Sequence, residues 1–427
     1  MFEIEETMKR DETKSILENT LVRYQKEAFK AYNKLETPSR INHLWKYTDP
    51  LHFEMDLSNG DGKQGKPLIP RYSESNSDDY DVEISIDGDS EFVIDLSKTA
   101  KEKGVIVKNL VETLEEDSSF VNDSFMSMIG PDYGKYEALN LYKLQAGIVV
   151  YVPDNIDLEK PVLIKRKSRK QWLFTRLLLV TGKNSSLTLV DEYSRDSEPE
   201  SAVSSVVEVV AGENSQIKYA TIQDMDVNGK LYLTQRNSLA KDSHLEHVTI
   251  SMGSGVTKYN WKSYLDGQGA DSQWFGMLMG SFQQHFDHHT SQHHRAGNTS
   301  SNMGFKVAVQ DHAVSAYTGK IVIDEGAVNC EAFQENRNLI LDESAKAESI
   351  PELEISNDDV KCSHGVTVGP LEQDQVFYLM SRGIKRDEAI KIILNGFFEA
   401  IYKRIPVEKI KNNTEIRLKA VMEGENG

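Results

Sequence analysis

A short polar turn sequence recurs at nearly constant spacing through the middle of the chain. Its five copies are KNSSL, ENSQI, KDSHL, ADSQW and TSSNM, which end at Leu187, Ile217, Leu245, Trp274 and Met303. The successive intervals between these residues are 30, 28, 29 and 29 positions. A fixed period of this size is the sequence signature of a stacked-repeat architecture. More than any other feature, this interval limits the folds that the chain can adopt.

Each repeat has the pattern of a strand, a turn and a second strand, without a helical period between the turns. A single repeat of this kind cannot bury its apolar side chains alone and has to stack on its neighbours. The sequence therefore predicts a mainly β fold, with a right-handed parallel β-helix flanked by helical N- and C-terminal segments. The alternative is an ordinary β-sandwich with similar turns, but the regular interval favours the β-helix.

Changes in residue pattern predict four parts of the chain. Apolar residues recur at helical spacing from Thr13 to Leu35, and a Gly- and Ser-rich stretch typical of a mobile loop runs from Ser58 to Asp79. The predicted parts are an N-terminal helical segment with a flexible loop (1–80), a mixed α/β linking region (81–146), the β-helix core (147–370) and a C-terminal helical domain (371–427).

The C-terminal segment carries an apolar stripe that is wider than one core face requires. The stripe and the residues that widen it are Ile390, Ile393, Leu394, Phe397, Phe398, Ile401 and Tyr402. The excess of apolar residues suggests a surface for a partner protein. The alternative is that the stripe docks the helix onto the end of the solenoid.

Composition excludes several classes of protein. The formal net charge of −18 argues against binding along a nucleic-acid backbone, which needs clustered Lys and Arg. No apolar run of about 18 residues is present that would span a bilayer. The first residues, MFEIEETMKRDETK, lack the apolar core of a secretory signal, and two cysteines make no disulfide framework. We therefore expect a cytoplasmic protein that binds neither membranes nor nucleic acid.

The stretch DDVKCSHGVTVG, which begins at Asp358, contains one of the two cysteines of the chain. If residues 361–367 form a strand, Cys362 and His364 point to one face of it and Ser363 points to the other. A thiolate and an imidazole are both transition-metal ligands, but two ligands do not complete a metal site. The pattern is typical either of half a site that a partner chain completes or of two side chains that only pack.

The other cysteine and a histidine-rich run have simpler interpretations available. Cys330, in GAVNCEAF, is expected to be a small buried residue, because unpaired cysteines are commonly buried.

The run QHFDHHTSQHH places five histidines between His285 and His294, with Asp287 among them. Imidazoles at this density bind transition metals. In a strand, however, these side chains divide between two faces, so a polar solenoid surface is favoured over a native metal site.

Several stretches resemble the SufB/SufD family, the β-helical subunits of the SUF iron–sulfur assembly complex. The run from Ala332 to Ile384, AFQENRNLILDESAKAESIPELEISNDDVKCSHGVTVGPLEQDQVFYLMSRGI, is similar to the family's C-terminal signature. LWKYTDP resembles its N-terminal element, ALNLYKLQAGIVVYVPDNIDLEKPV its entry into the β-helix, and QHFDHHT its His-containing turn. The resemblance covers most of the chain and is weak over residues 50–130.

Within the family, KCSHG with Cys362 and His364 resembles the SufD pattern, whereas SufB typically has acidic residues around a histidine there. SufB also carries a characteristic cysteine in the preceding strand, where this chain has Asn336. The resemblance implies a non-catalytic, SufD-type scaffold subunit that pairs with SufB and supports nascent cluster assembly and iron acquisition. A SufB-like scaffold that acts as a homodimer is the alternative within the family.

The resemblance also implies partners and site residues. It implies that the C-terminal helices bind the SufC ATPase, with Ile393, Phe397, Phe398 and Ile401 as candidate contacts. It implies that the isolated chain, as a monomer or homodimer, holds no tightly bound cofactor. A transient iron–sulfur cluster would form only in the complex, where Cys362 and His364 face the partner.

Two other classes of function fit some of these features. A β-solenoid enzyme that acts on polysaccharides needs paired carboxylates in a long groove, and no motif in this chain places two together. A purely structural partner needs no chemistry, and in that case Cys362 and His364 only pack. Full cluster assembly in cells after both residues are replaced would support the structural alternative.

Overall fold

The computed structural model describes residues 21–422, apart from positions 56, 58–62, 76, 89, 117–118, 170–171 and 195–200. In these residues, strands alternate between two sheets and wind into a β-solenoid of about seven turns, with helices at both ends. The neighbouring strands of the solenoid run parallel in continuous register. The predicted parallel β-helix is therefore confirmed, and the β-sandwich alternative is wrong.

One sheet has eleven strands in the described residues, in the order β1-β3-β2-β6-β8-β10-β12-β14-β16-β18-β20. Only β2 and β3 pair antiparallel in it. Its strands are β1 (Arg71–Ser75), β2 (Val82–Asp87), β3 (Glu91–Ser97), β6 (Val162–Lys167), β8 (Ser186–Ser194), β10 (Gln216–Asp224), β12 (His244–Ser251), β14 (Asp271–Gly280), β16 (Ser300–Val309), β18 (Cys330–Ile340) and β20 (Val360–Pro370).

The other sheet has nine strands in the described residues, in the order β19-β17-β15-β13-β11-β9-β7-β5-β4. Its strands are β4 (Ile106–Asn109), β5 (Ala146–Val152), β7 (Trp172–Thr181), β9 (Ala202–Ala211), β11 (Lys230–Leu239), β13 (Val256–Leu265), β15 (His285–His294), β17 (Val314–Ile323) and β19 (Lys346–Ile355). Successive strands of the solenoid alternate between the sheets, so each turn contributes one strand to each sheet.

The recurring turn sequence has a backbone cause. At one corner of each turn the chain adopts a left-handed conformation, at Asn155 (φ 60°), Asn184 (φ 53°), Asn214 (φ 55°) and Asp242 (φ 55°). Asn and Asp tolerate this conformation better than other residues with side chains. The asparagines also bond to one another, since the Asn184 amide donates to Asn155 Oδ1 at 2.9 Å and the Asn214 amide to Asn184 Oδ1 at 2.8 Å. Stacking of identical corners therefore fixes the period.

The interior of the solenoid is not purely apolar. Aliphatic side chains fill the turns near β5, β7 and β9, but the middle turns contain stacked rings. Ring centroids lie 4.4 Å apart for Tyr259 and Trp261, 4.8 Å for His247 and Trp261, and 4.5 Å for Tyr259 and His288. Alternation along the strands directs these side chains inward. The middle of the core is therefore built from aromatic and polar groups.

The N-terminal region packs on the nine-stranded sheet. Trp45 lies among Phe53, Tyr136 and Tyr232, with its ring stacked on that of Tyr232 at 5.7 Å. The helices are α1 (21–34), α2 (Lys98–Glu102), α3 (Leu110–Glu115), α4 (Ser119–Ser124) and α5 (Lys135–Tyr142), with short 3-10 helices at His43–Trp45 and Pro50–Phe53. Positions 13–20 of the helix predicted from Thr13 lie outside the described residues.

The predicted mobile loop from Ser58 to Asp79 needs a correction. Positions 58–62 and 76 lie outside the described residues, but Arg71–Ser75 forms strand β1, which pairs in parallel with β3. The polar composition of this stretch resembles a loop because all but the last of the five β1 side chains are exposed. Strand β1 is an edge strand, and its polarity suits an edge that faces water.

Three helices follow the solenoid: α6 (Gln373–Ser381), α7 (Arg386–Tyr402) and α8 (Glu408–Met422). Helix α7 lies on the outer face of the eleven-stranded sheet, where Phe398 and Ile401 are buried in one apolar cluster with Phe275 and Met277. In the part of the chain that the structure describes, no helix is both long and apolar enough to cross a bilayer.

Candidate functional site

The last turn of the solenoid leaves both sheets with a terminal strand. Strand β20 is paired with β18 on one side and has no strand partner on the other side within the described residues, and β19 ends the second sheet in the same way. The β20 side chains Val366 and Val368 are 36% and 45% exposed. A long edge with unpaired backbone groups and exposed apolar side chains is a template for pairing with another chain.

Cys362 and His364 lie on this terminal strand. In the register with β18, Cys362 is opposite Ala332 and His364 is opposite Gln334, both of which are buried, while Ser363 is opposite the exposed Phe333. Alternation therefore places Cys362 and His364 in the row that continues the interior of the solenoid, with Ser363 on the outer face. The sequence-based prediction that Cys362 and His364 share a face agrees with this register.

The two side chains differ in exposure. Cys362 is half-buried against the interior cluster, and burial raises the pKa of its thiol. His364 is exposed at the open end of the solenoid. The thiolate is the form of cysteine that attacks electrophiles and that binds metal ions, so a raised pKa makes the thiol less reactive in both roles at neutral pH. A metal ion that binds Cys362 has to displace the thiol proton.

Within the described residues, no third metal ligand lies beside Cys362 and His364. Among the described residues, no group of three or more His, Cys, Asp or Glu side chains is arranged to hold a metal ion. Cys330 is buried at the start of β18, where its Sγ lies 3.1 Å from Thr299 Oγ1 and 3.3 Å from the carbonyl oxygen of Ala327. Cys330 thus packs as a small buried residue, as the sequence analysis expected.

The histidine-rich run forms strand β15, and three of its outward side chains, His285, Asp287 and His289, lie against the N-terminal region. Lys258 Nζ lies 2.8 Å from Asp287 Oδ2, and this pair is completely buried. The hydroxyl of Thr48 donates to the same carboxylate and lies 3.0 Å from His285 Nε2. His289 Nε2 lies 3.1 Å from Asp287 Oδ1. These contacts fasten the LWKYTDP segment to the solenoid.

The inward side chains of β15 belong to the core. His288 stacks on Tyr259, and His294 lies between two hydroxyls, with Nδ1 2.7 Å from Thr299 Oγ1 and Nε2 2.8 Å from Ser301 Oγ. Burial lowers the pKa of His288 to about 3 and that of His294 to about 4. A surface metal cluster is therefore not formed by this run, whose two faces serve the core and the N-terminal contact.

The apolar stripe on α7 is largely internal, as the docking alternative for this stripe expects. Phe398 and Ile401 are 0% and 3% exposed against the solenoid, and Ile393 and Phe397 are partly buried in the same helical end. A wide stripe was needed because α7 contacts the sheet on one side and α6 and α8 on others. Phe398 and Ile401 are therefore packing residues, and Ile393 and Phe397 keep part of their surface exposed.

A different apolar surface is open on α6. Phe377, Tyr378 and Met380 are 71%, 58% and 42% exposed, and we call these three residues the α6 surface. None of these three residues is among the contacts predicted from the sequence. The uninterrupted run VFYLM was the available signal, since five consecutive apolar residues on one helix cannot all face its core.

Comparison with protein-family models identifies the chain. The model described as "SUF system FeS cluster assembly, SufBD core domain" matches residues 163–397, which is more than half of the chain. The model of the SufBD protein N-terminal region matches residues 82–164. The chain belongs to the SufBD family. Both Cys362 and His364 lie within the matched core domain, as does most of α7.

Curated members of the SufBD family match over most of their length. The chain is 31% identical over 324 residues to the iron-sulfur cluster assembly protein SufD of Bacillus subtilis (strain 168), covering 74% of each protein. It is 29% identical over 352 residues to SufBD family proteins of Staphylococcus epidermidis (strain ATCC 12228) and Staphylococcus aureus (strain USA300), covering 82% of this chain and 76% of each relative. SufBD proteins are components of an assembly scaffold.

Proposed function

We propose that this SufBD protein is a non-catalytic, SufD-type subunit that pairs with SufB, binds the SufC ATPase and supports nascent iron–sulfur cluster assembly and iron acquisition. The observation that carries the proposal is the position of Cys362 and His364. Both lie in the inward row of β20, a terminal strand whose second edge has no partner among the described residues. The site therefore lies where a second solenoid can pair with this one.

Ligand number supports a shared site. Iron–sulfur clusters are held mainly by thiolates, usually four, with histidine as an occasional replacement. This chain offers one thiolate and one imidazole on β20, so a partner must supply the remaining ligands. Edge-to-edge pairing through β20 would bring a partner strand within about 5 Å, the ordinary spacing of paired strands. Its side chains would then lie beside Cys362 and His364.

Residue identities favour the SufD branch over a SufB-like homodimer. Asn336, which takes the place of a cysteine that SufB carries, is completely buried in β18 and points into the solenoid. Its amide donates to the carbonyl oxygen of Phe305 at 3.4 Å, and Asn338 donates to its Oδ1 at 2.6 Å. An amide with these partners has a structural role. The curated relative from Bacillus subtilis, which carries the name SufD, agrees with this assignment.

For SufC we propose the α6 surface as the main contact. Phe377 and Tyr378 are large aromatic side chains that stand in water, and aromatic residues are the usual anchors of protein interfaces. The α7 residues proposed from the sequence then act indirectly, because Phe398 and Ile401 hold the helical end against the solenoid. Movements of SufC during ATP hydrolysis would reach the site through this packing.

The test compares the isolated chain with its complex. We expect the isolated protein to bind no stoichiometric cluster and the complex with SufB and SufC to support one, measured as iron and acid-labile sulfide per complex. His364→Ala should lower the cluster yield without reducing subunit binding, and Cys362→Ser should have an intermediate effect because a partner thiolate can replace it. Ser363→Ala is the matched control, since its side chain lies on the outer face.

Two results would contradict the proposal. A stable cluster on the isolated chain or on its homodimer would favour the SufB-like alternative. Normal cluster assembly by the double variant Cys362→Ser, His364→Ala would show that these residues only pack.

A further inference from the structure

A pocket of about 250 Å³ lies between helix α7 and the outer face of the eleven-stranded sheet. Its floor is formed where Gly304 lies beside Phe275, and a Cβ atom at position 304 would come within 3.0 Å of the Phe275 ring. Ile401 contributes a further apolar surface. The pocket is on the opposite face of the strands from the inward row that carries Cys362 and His364, so it is separate from the proposed cluster site.

Charge in this pocket is opposite to that of the whole protein. Of the ten described residues that line it, Lys306, Arg337 and Arg404 are cationic and Glu335 is the sole carboxylate. The full chain carries a formal net charge of −18. Arg337 pairs with Glu335 and Arg404 with Glu246, so the three cations exceed the adjacent carboxylates by one and leave a local positive charge on an acidic protein. A low-dielectric wall strengthens the field of such a charge.

The cations are held by the fold. The Arg404 guanidinium lies over the Phe275 ring at 3.7 Å from its centroid, and its Nη1 is 3.1 Å from Glu246 Oε1. Lys306 donates to the carbonyl oxygen of Phe397. Burial lowers the pKa of Lys306, and the positive charge of Arg337 lowers it further. An anion placed between these groups would relieve their mutual repulsion.

Glu335 is the only carboxylate among the described residues of the pocket lining that would compete with an anionic ligand for Arg337, and its interaction with Arg337 is weak. Its Nη2 lies 2.7 Å from Glu335 Oε1 on the same strand, and both side chains are 52% exposed. Exposed ion pairs of this kind contribute little, because water screens both charges, so a ligand can take the place of Glu335 at small cost. The guanidinium fork of Arg matches the oxygens of a phosphate group in a bidentate arrangement.

We propose that this pocket binds a small phosphate monoester whose organic part is apolar. The phosphate group lies between Arg337, Lys306 and Arg404, and the organic part rests on Gly304, Phe275 and Ile401. The volume of about 250 Å³ suits a compact ester. A dianionic phosphate is favoured over a carboxylate because three cations surround the site.

Binding of phenyl phosphate to the full chain tests this inference by isothermal titration calorimetry at low salt. We expect phenyl phosphate to bind more tightly than inorganic phosphate, and phenol not to bind detectably. Arg337→Gln should weaken the affinity for phenyl phosphate by at least about tenfold, because it removes a charged bidentate donor. Glu335→Gln should strengthen the affinity about three- to tenfold, because it removes the competing carboxylate.

Matched controls come from exposed ion pairs outside the pocket. Arg295→Gln removes an arginine paired with Asp266 at 2.9 Å, and Glu331→Gln removes a glutamate on β18 paired with Lys361 at 2.7 Å. Both controls should leave the affinity unchanged, and circular dichroism melting should show that all four variants fold. Absence of phenyl phosphate binding at millimolar concentration would overturn the proposal. Binding that Arg337→Gln and Glu335→Gln leave unchanged, or that inorganic phosphate matches, would also overturn it.

Discussion

Three buried histidines should make the solenoid sensitive to mild acid. Burial lowers the pKa of His247 and His288 to about 3 each and that of His294 to about 4. In the unfolded chain a histidine has a pKa of about 6.5. The folded state therefore keeps these side chains neutral at a pH where the unfolded state binds protons. Their contribution to stability is complete above pH 6.5 and is lost as the pH falls toward 4 and 3.

The size of the effect follows from the number of protons taken up on unfolding. Each proton changes the free energy of unfolding by about 1.4 kcal/mol per pH unit, so three histidines give a slope of about 4 kcal/mol per unit near pH 5. Between pH 7 and pH 5 the three together should remove roughly 6 kcal/mol. Typical domains have only about 5–15 kcal/mol of stability in total. We therefore expect the solenoid to approach unfolding near pH 5.

Urea unfolding at pH 7, 6 and 5, followed by far-ultraviolet circular dichroism, measures this slope. His288→Gln should reduce the slope near pH 5 by about 1.4 kcal/mol per pH unit, whatever it does to stability at pH 7. His247→Gln gives the same test if the first variant folds poorly. Identical slopes for the wild type and both core variants would refute the assignment of neutral histidines to the interior.

Two further predictions concern exposure of single side chains. A thiol reagent should modify Cys362 in the native protein and Cys330 only after unfolding. The rate of modification at Cys362 should keep rising at alkaline pH, because burial raises the pKa of its thiol. Phe398→Ala should lower the free energy of unfolding by about 3–5 kcal/mol, because it leaves a cavity in the packed helical end. Phe377→Ala should change the free energy of unfolding by less than about 0.5 kcal/mol, but it should weaken SufC binding in a pull-down. A pull-down unaffected by Phe377→Ala would remove the α6 surface from the proposed interface.

The fold could be predicted from the sequence because one local requirement repeats. Each turn needs a residue that accepts a left-handed backbone, and Asn184, Asn214 and Asp242 meet it at regular intervals. The histidine-rich run could not be interpreted in the same way. The alternation of a strand places His285 and His288 on opposite faces, but it does not show whether either face is buried. In this protein both faces are covered: His288 packs in the core, and His285 contacts the N-terminal segment.

The helical end shows a second limit of pattern analysis. An apolar stripe predicts that a face is buried, but it does not say whether the covering surface belongs to the same chain. Phe398 and Ile401 are covered by the solenoid itself, while the exposed aromatics lie on the shorter α6. The contact of α7 with Phe275 and Met277 could not be predicted from the sequence pattern, because these residues precede α7 by more than 100 residues.

For Cys362 and His364 the position along the solenoid matters as much as residue type. The same two side chains in a middle turn would have strands on both sides, as His247 has in β12, and would become core groups. On β20, Cys362 and His364 point to the same side as the core residues of the preceding strand, but one edge of β20 has no strand partner in the described residues. Alternation could be predicted from sequence, but the absence of a following strand is a property of the assembled sheet. That edge is the part of the solenoid on which the proposed site shared with a second solenoid depends.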